Sequence, residues 1–433
     1  MITLEKGSKK LLNAWAFYDW ANSVYSLVIS SAVFPIFYGA LFRAAGIEKI
    51  QFLGGEIERA PLISYVTAAA FIVVSLISPL LSGVADYTGN KKFFLKLFCY
   101  GGSLSCVGLY WFSLEHIYFG MFCYFMALIG FWGSLVFYNS YLPDVAFTEQ
   151  QDKISAKGYA LGYIGSVILL IINLVMILGY ESFGFENSGA PTRISFIMVG
   201  IWWAGFAQYT FYYLPNGNNN NQRATKEIFF NGYKELKKVW NSLSNYFKLK
   251  RYLIAFFVYS MAVQTVMLAA SYFAEQELHW ESDDQRTTGL IISILVIQLV
   301  AVVGALLTSS LSKKIGNIRS LIIINILWLC ICGYAYFVIT PVQFYITAGC
   351  VGLVMGGIQS LSRSTYSKYL PETKDTASYF SFYDVAEKIG IVIGMFLYGL
   401  IAQLTGSMRN SILILGIFFL CGIILLYRMP KED

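Results

Sequence analysis

The chain carries twelve stretches of mainly apolar residues, each about as long as an α-helix must be to cross a hydrocarbon layer. They lie at 12–42, 61–82, 93–113, 117–141, 158–180, 193–214, 252–274, 289–311, 320–339, 343–365, 379–404 and 409–428. Composition agrees: 57% of the residues are apolar and 13% are charged, against about 25% charged in a soluble domain. So little polar surface excludes a water-soluble enzyme, a secreted disulfide scaffold and a disordered chain. The expected class is an all-α integral membrane protein with twelve transmembrane helices.

The gaps between these stretches are short except for 215–251. The chain therefore divides into a six-helix unit at 1–214, a linker at 215–251 and a second six-helix unit at 252–433. The formal net charge is +6, and the linker alone carries that excess. It sets Arg223, Lys226, Lys234, Lys237, Lys238, Lys248, Lys250 and Arg251 against Glu227 and Glu235. A local excess of this kind points to membrane lipid on a cytoplasmic face and not to nucleic acid. With both termini cytoplasmic, Arg43, Lys49, Arg59, Arg193, Arg286 and Arg409 lie outside and Lys388 lies within a helix. All other basic residues are then inside, and the reverse orientation inverts the bias. An asparagine tract, Asn218 to Asn221, opens the linker as a flexible joint. Phe229, Tyr233, Leu236, Trp240, Leu243 and Phe247 then share one helical face. Lying along the inner leaflet is preferred for that helix over docking to a partner. The seven cysteines all fall in apolar runs without a Cys-x-x-Cys pair, so free thiols and no metal site are expected. The first apolar run is too long for a signal peptide and is read as an uncleaved helix.

The two halves echo each other. Ser82, Gly89, Asn90 and Lys92 are matched 227 residues later by Ser309, Gly316, Asn317 and Arg319. Tyr138-x-x-Tyr141-Leu142-Pro143-Asp144 is matched 228 residues later by Tyr366-x-x-Tyr369-Leu370-Pro371-Glu372. A duplicated six-helix unit follows, giving two pseudo-symmetric bundles with a cavity between them.

These loops carry a resemblance. Asp86, Gly89, Lys91 and Lys92 fit the loop signature Gly-x3-Asp-[Arg/Lys]-x-Gly-x-[Arg/Lys]-[Arg/Lys] of the major facilitator superfamily, with Ser82 and Tyr87 departing from it. Tyr18-Asp19-Trp20-Ala21-Asn22-Ser23, Gly158-Tyr159-Ala160-Leu161-Gly162-Tyr163, Gln264-Thr265-Val266, Gln359-Ser360-Leu361-Ser362-Arg363-Ser364 and Phe382-Tyr383-Asp384-Val385 resemble the autophagy-related vacuolar effluxer branch. The resemblance implies the major facilitator fold, with helices 1, 4, 7 and 10 around the cavity, and transport; eukaryotic members release amino acids. By the same analogy Asp86 meets the positive N-terminus of helix 11, around Ala377 to Tyr379, and latches the inward gate. Lys313 stands at the equivalent place in the second half, so the latch is expected on one side only.

Charges and amides inside the apolar runs are the candidate path residues, because each is expensive in a bilayer. Asp19 lies about two turns into helix 1, roughly 10 Å deep. Asn22, Ser23, Ser26 and Ser30 share its face at α-helical spacing. That stripe is preferred as a cavity wall binding a proton, sodium or a substrate amine; a structural hydrogen bond is the alternative. Asp384 and Lys388 at i, i+4 fit a local ion pair, and with Glu387 they fit equally a cavity-facing cluster. Arg363, with Gln359 one turn away, is read as a ligand for a substrate carboxylate or as snorkelling to headgroups. Asn139, Gln264 and Gln298 are further candidates, and Tyr163 is a weaker one.

No Walker loop, metal set or nucleophile motif is present, so neither ATP, nor a cofactor, nor catalysis is expected. The function indicated is secondary active transport, by alternating access, of a small polar solute such as an amino acid, in either direction. A driving proton or sodium ion, if there is one, is expected to act through Asp19 or the helix 11 group. The protein is expected to act as a monomer in the cell membrane. The alternative is a non-transporting receptor or scaffold that kept the fold; it would show a large soluble domain or a filled, apolar cavity.

Overall fold

A computed structural model of the protein describes residues 4–217, 227–243 and 245–430. Twelve of its helices are long and apolar enough to cross a membrane. Spans 1 to 6 are Lys9–Ala45, Pro61–Thr88, Lys91–Trp111, Ile117–Val145, Thr148–Leu178 and Gly189–Tyr213. Spans 7 to 12 are Phe247–Glu277, Gln285–Ile315, Asn317–Ala335, Pro341–Tyr369, Thr376–Thr405 and Met408–Tyr427. All twelve coincide with apolar runs of the sequence. Span 5 starts ten residues before its run, because a polar segment, Thr148 to Lys157, continues the helix beyond the apolar part.

Buried apolar side chains form two clusters. One gathers Trp15, Tyr25, Phe34, Phe137 and Trp203 from spans 1 to 6. The other gathers Tyr252, Phe256, Trp328, Tyr366 and Phe419 from spans 7 to 12. Each six-helix unit thus has its own core. The units meet where spans 5 and 8, 5 and 10, 2 and 11, and 4 and 11 pack together.

Span 1 departs from the α-helical spacing assumed for it. Residues Lys9–Val24 are α-helical, Tyr25–Ala32 form a π-helix and Val33–Ala45 return to the α form. Pro35 explains the change: its ring lacks an N–H and crowds the carbonyl of Ser31, four residues earlier. Ser26 and Ser30 lie within this wider turn. Both are half-buried.

The linker helix Glu227–Leu243 packs along span 2 and touches the start of span 11. Val239 and Leu243 are buried there, while Tyr233 and Trp240 stay exposed. Ser242 and Tyr379 share a hydrogen bond of 2.8 Å between hydroxyls. Of the apolar stripe, Leu243 is buried, Leu236 is half-buried and the exposed Trp240 ring lies 5.5 Å from that of Phe382 on span 11; Val239, off the stripe, makes a further buried contact. The Asn218 to Asn221 joint and the side chain of Phe229 lie outside the described residues.

Candidate functional site

Span 1 is buried at its centre, so Asp19 needs partners rather than solvent. It is 4% exposed, and its Oδ2 accepts a hydrogen bond from the Tyr138 hydroxyl (2.9 Å) and one from Arg363 Nη2 (3.1 Å). Arg363 is 1% exposed and arrives from span 10, in the other half. Its Nε donates to Ser155 Oγ (2.9 Å), its Nη2 also to the Ser155 carbonyl (2.9 Å), and its Nη1 to Asn139 Oδ1 (3.3 Å). Its guanidinium lies 4.2 Å from the Tyr159 ring and 4.8 Å from that of Trp15. A planar cation with five donors suits such a cage, which satisfies it without water. Arg363 therefore neither snorkels nor stands free for a substrate carboxylate; it pairs with Asp19 and holds the halves together. Gly158 makes this possible, since a Cβ there would meet Asp19 Oδ2 and Arg363 Nη2.

Beside the cage is a small cavity between the halves, about 260 Å³. Tyr159 borders it from span 5, Tyr259 and Gln264 from span 7, Gln359 from span 10 and Glu387 from span 11. Gln264 Nε2 donates to Glu387 Oε1 (2.6 Å), and the Tyr163 hydroxyl donates to Gln359 Oε1 (2.6 Å). Gln264, Gln359 and Tyr163 are thus brought together across the interface. Asn22 is buried but bonds only with the neighbouring Ser23 (3.4 Å), and neither it nor Ser26 nor Gln298 borders this cavity. A larger cavity, about 610 Å³, lies inside the second half among apolar residues such as Phe273, Trp328 and Val351, away from the interface.

On span 11 Lys388 pairs with Asp384, as the i, i+4 spacing allows. Lys388 is fully buried, and its ammonium also sits 4.1 Å from the Trp132 ring of span 4. The pair is local, yet the same lysine reaches across to the first half.

Hydrogen bonds between the halves gather at the linker end. Asp86 Oδ1 accepts from the Ala377 N–H (3.2 Å) and Oδ2 from the Ser378 N–H (2.7 Å), in the first turn of span 11. Gly89, at φ +67°, ends span 2 in the left-handed form that glycine tolerates best. Lys91 donates to Thr376 Oγ1 (2.6 Å) and pairs with Asp144. Lys92 does not join this group. It is held by the Leu214 carbonyl (2.8 Å) and Asn216 Oδ1 (2.9 Å), where span 6 ends.

The expected one-sidedness of this closure is overturned. A second clasp is centred on Asp152, near the start of span 5 and 5% exposed. Asp152 accepts from Asn317 Nδ2 (2.9 Å), Ser312 Oγ (3.2 Å) and Lys368 Nζ (2.6 Å). In the first clasp the acid lies at the end of span 2; in the second it lies on span 5 and the span 8–9 corner supplies donors. Looking for an acid at the equivalent loop position alone missed it. Asp152, Ser155, Lys368 and Trp132 had no role assigned from the sequence, and Tyr138, Tyr159 and Asn317 entered only inside quoted segments. Asp152 has one legible signal, an acid in the polar first turns of a helix that leads into a span.

Comparisons place this geometry. A family model described as "Vacuole effluxer Atg22 like" matches residues 7–433. The "Uncharacterized MFS-type transporter YxiO" of Bacillus subtilis is 32% identical, over 97% of this chain and 95% of its own length. "Autophagy-related protein 22-1" of Phaeosphaeria nodorum is 22% identical over 97% of this chain and 90% of its own. Among solved structures, the major facilitator transporter FucP in the outward conformation covers 98% of this chain and 99% of its own, with a TM-score of 0.71 at 12% identity. The human organic anion transporter MFSD10 gives a TM-score of 0.67 at 12% identity, with 96% of this chain and 98% of its own covered. The chain is a multi-pass membrane protein and belongs to the Atg22-like branch of the major facilitator superfamily of transporters.

Proposed function

We propose that this transporter works by alternating access and carries a small solute with an ammonium group, of the amino acid class. The observation that carries this reading is Glu387, a half-buried carboxylate bordering the cavity between the halves, held by Gln264 and flanked by Tyr259 and Gln359. A carboxylate amid amide and hydroxyl groups suits an ammonium bearing several N–H donors. The surrounding rings of Tyr159, Phe256 and Tyr383 suit an apolar side chain or the face of the cation.

The Asp86 and Asp152 clasps and the Asp19–Arg363 pair close the linker end. We place that end, with both termini, on the cytoplasmic side of the cell membrane, because lysine and arginine concentrate there. The two six-helix units are the rocking bodies and the linker their tether. In this state the cavity faces outward, and breaking both clasps and the central pair would open the other side.

The test is exchange of radiolabelled neutral, cationic and anionic amino acids by the full-length protein in proteoliposomes. Wild type is expected to exchange at least one of these classes, and Glu387→Gln to lose most of that exchange while keeping its melting temperature. No amino acid exchange by the wild-type protein would remove the solute class.

A further inference from the structure

Three charges on span 11, two of them buried and the third half-buried, do not cancel. Asp384 and Glu387 are negative, Lys388 is positive, and the helix presents them within one turn of each other. Asp384 is 5% exposed and Lys388 0%. Lys388 takes Asp384 Oδ1, while Asp384 Oδ2 is buried with no hydrogen-bond partner. Glu387 has Gln264, which is neutral. Among the described residues, the elements packed against this turn bring no further cation; Arg363 of span 10, on the Tyr159 ring, is taken by Asp19. Span 7 brings Gln264 and the Tyr259 hydroxyl, span 4 brings Trp132, and Tyr159 of span 5 faces Glu387 across the cavity. The other charges on the packed spans lie toward their ends: Asp86 on span 2, Asp144 on span 4, Lys248, Lys250, Arg251, Glu275 and Glu277 on span 7, and Arg409 on span 12; the linker helix with Lys234, Lys237 and Lys238 touches only the start of span 11. One net negative charge is left in a place where an uncompensated charge is costly.

Asp19 is the contrast. Its charge is cancelled by Arg363, and the same oxygen also accepts from Tyr138. Nothing there is short of a cation.

The geometry points to the Asp384–Glu387–Lys388 turn as the transporter's coupling site, one that takes a single proton. The proton comes from water in the open cavity, forms an O–H bond on a carboxylate oxygen of Asp384 or Glu387, and returns to water when that bond breaks. The neutral turn then crosses the closed state without a bare charge. Glu387 also borders the solute cavity, so an ammonium and the proton satisfy the same missing charge and exclude one another. The cycle is then proton-for-solute exchange. This last step rests on the solute reading above; the proton site does not.

The two are separable. Full-length protein in proteoliposomes on a solid-supported membrane, given an outside pH jump with no solute, is expected to show a transient charge displacement as the site fills. Asp384→Asn and Glu387→Gln should each abolish it or strongly reduce it, and Glu275→Gln, which changes an exposed acid near the end of span 7, should retain it. Lys388→Gln leaves two carboxylates unopposed, so two protons rather than one neutralise the turn and the displaced charge should roughly double. A transient untouched by the Asp384 and Glu387 changes, one lost in Glu275→Gln, or one not enlarged in Lys388→Gln overturns the assignment. Adding L-leucine or L-lysine outside should shrink the wild-type transient. If the transient responds to the span 11 variants but to no amino acid class, the proton site stands and the solute class falls.

Discussion

The two clasps at the linker end occupy related places in the two halves and hold by different means. Asp86 binds backbone: the Ala377 and Ser378 N–H groups at the start of span 11, where the helix dipole favours an anion. Asp152 binds side chains: Asn317, Ser312 and Lys368. Each clasp sets the end of one span against the start of another, but the acid sits on the span end in the first (Asp86, span 2) and on the helix start in the second (Asp152, span 5), and Lys313 stands where an acid would repeat Asp86. A backbone clasp tolerates sequence change in its partner, since every residue but proline offers an N–H. A side-chain clasp depends on three particular residues.

The largest effect should therefore come from Asp152→Ala. It leaves the Lys368 ammonium with only Asn317 Oδ1, at 3.3 Å, in a largely enclosed site. Stranding one member of such a pair costs about 2–4 kcal/mol, spent against the linker-closed state. Labelling of Ser260→Cys, a cavity position, by a membrane-impermeant maleimide added from the linker side should accelerate strongly. The swap Asp152→Lys with Lys368→Asp should restore slow labelling in large part, because both partners are side chains. Labelling that stays slow in Asp152→Ala alone would show that the Asp86 clasp suffices.

Asp86→Asn should do less. The amide oxygen still accepts one N–H, and what is lost is the attraction of a full charge to a helix start, about 1 kcal/mol. Labelling from the linker side should rise about fivefold on that basis. No charge swap is available to repair it, because its partner is backbone. Rescue of Asp86→Asn by an added acid at Thr376 or Ser378 would contradict this, since an acid there cannot replace an acceptor facing the N–H groups.

The same contrast explains what could be read from the chain. Apolar runs located all twelve spans, because burial in lipid leaves its mark on every residue of a span. The loop signature placed Asp86 beside Ala377, and Ser378 is the other donor, because a backbone partner needs only a helix start and no particular side chain. Asp19 and Arg363 stood out singly as charges in apolar runs. Their pairing joins residues 344 apart, and neither local periodicity nor the internal repeat links them. Asp152 was hidden by the polar extension of span 5, which hydropathy reads as a loop. The π-helical turn at Tyr25–Ala32 escaped because residue spacing was counted at 3.6 per turn through Pro35.

The smallest change that still tells the clasps apart is Ser312→Ala. The Ser312 hydroxyl has one proton and two acceptors in reach, Asp152 Oδ2 at 3.2 Å and the Ser309 carbonyl at 3.0 Å. Its bond to the acid is thus divided, while Asn317 and Lys368 hold Asp152 without competition of that kind. Removing the hydroxyl should cost about 0.5 kcal/mol, a barely twofold rise in linker-side labelling. Combined with Asp152→Ala it should add nothing further, because the acid it serves is gone. An additive effect in that double variant would show that Ser312 acts through its own helix, by the bond to Ser309, and would reduce the second clasp to Asp152, Asn317 and Lys368.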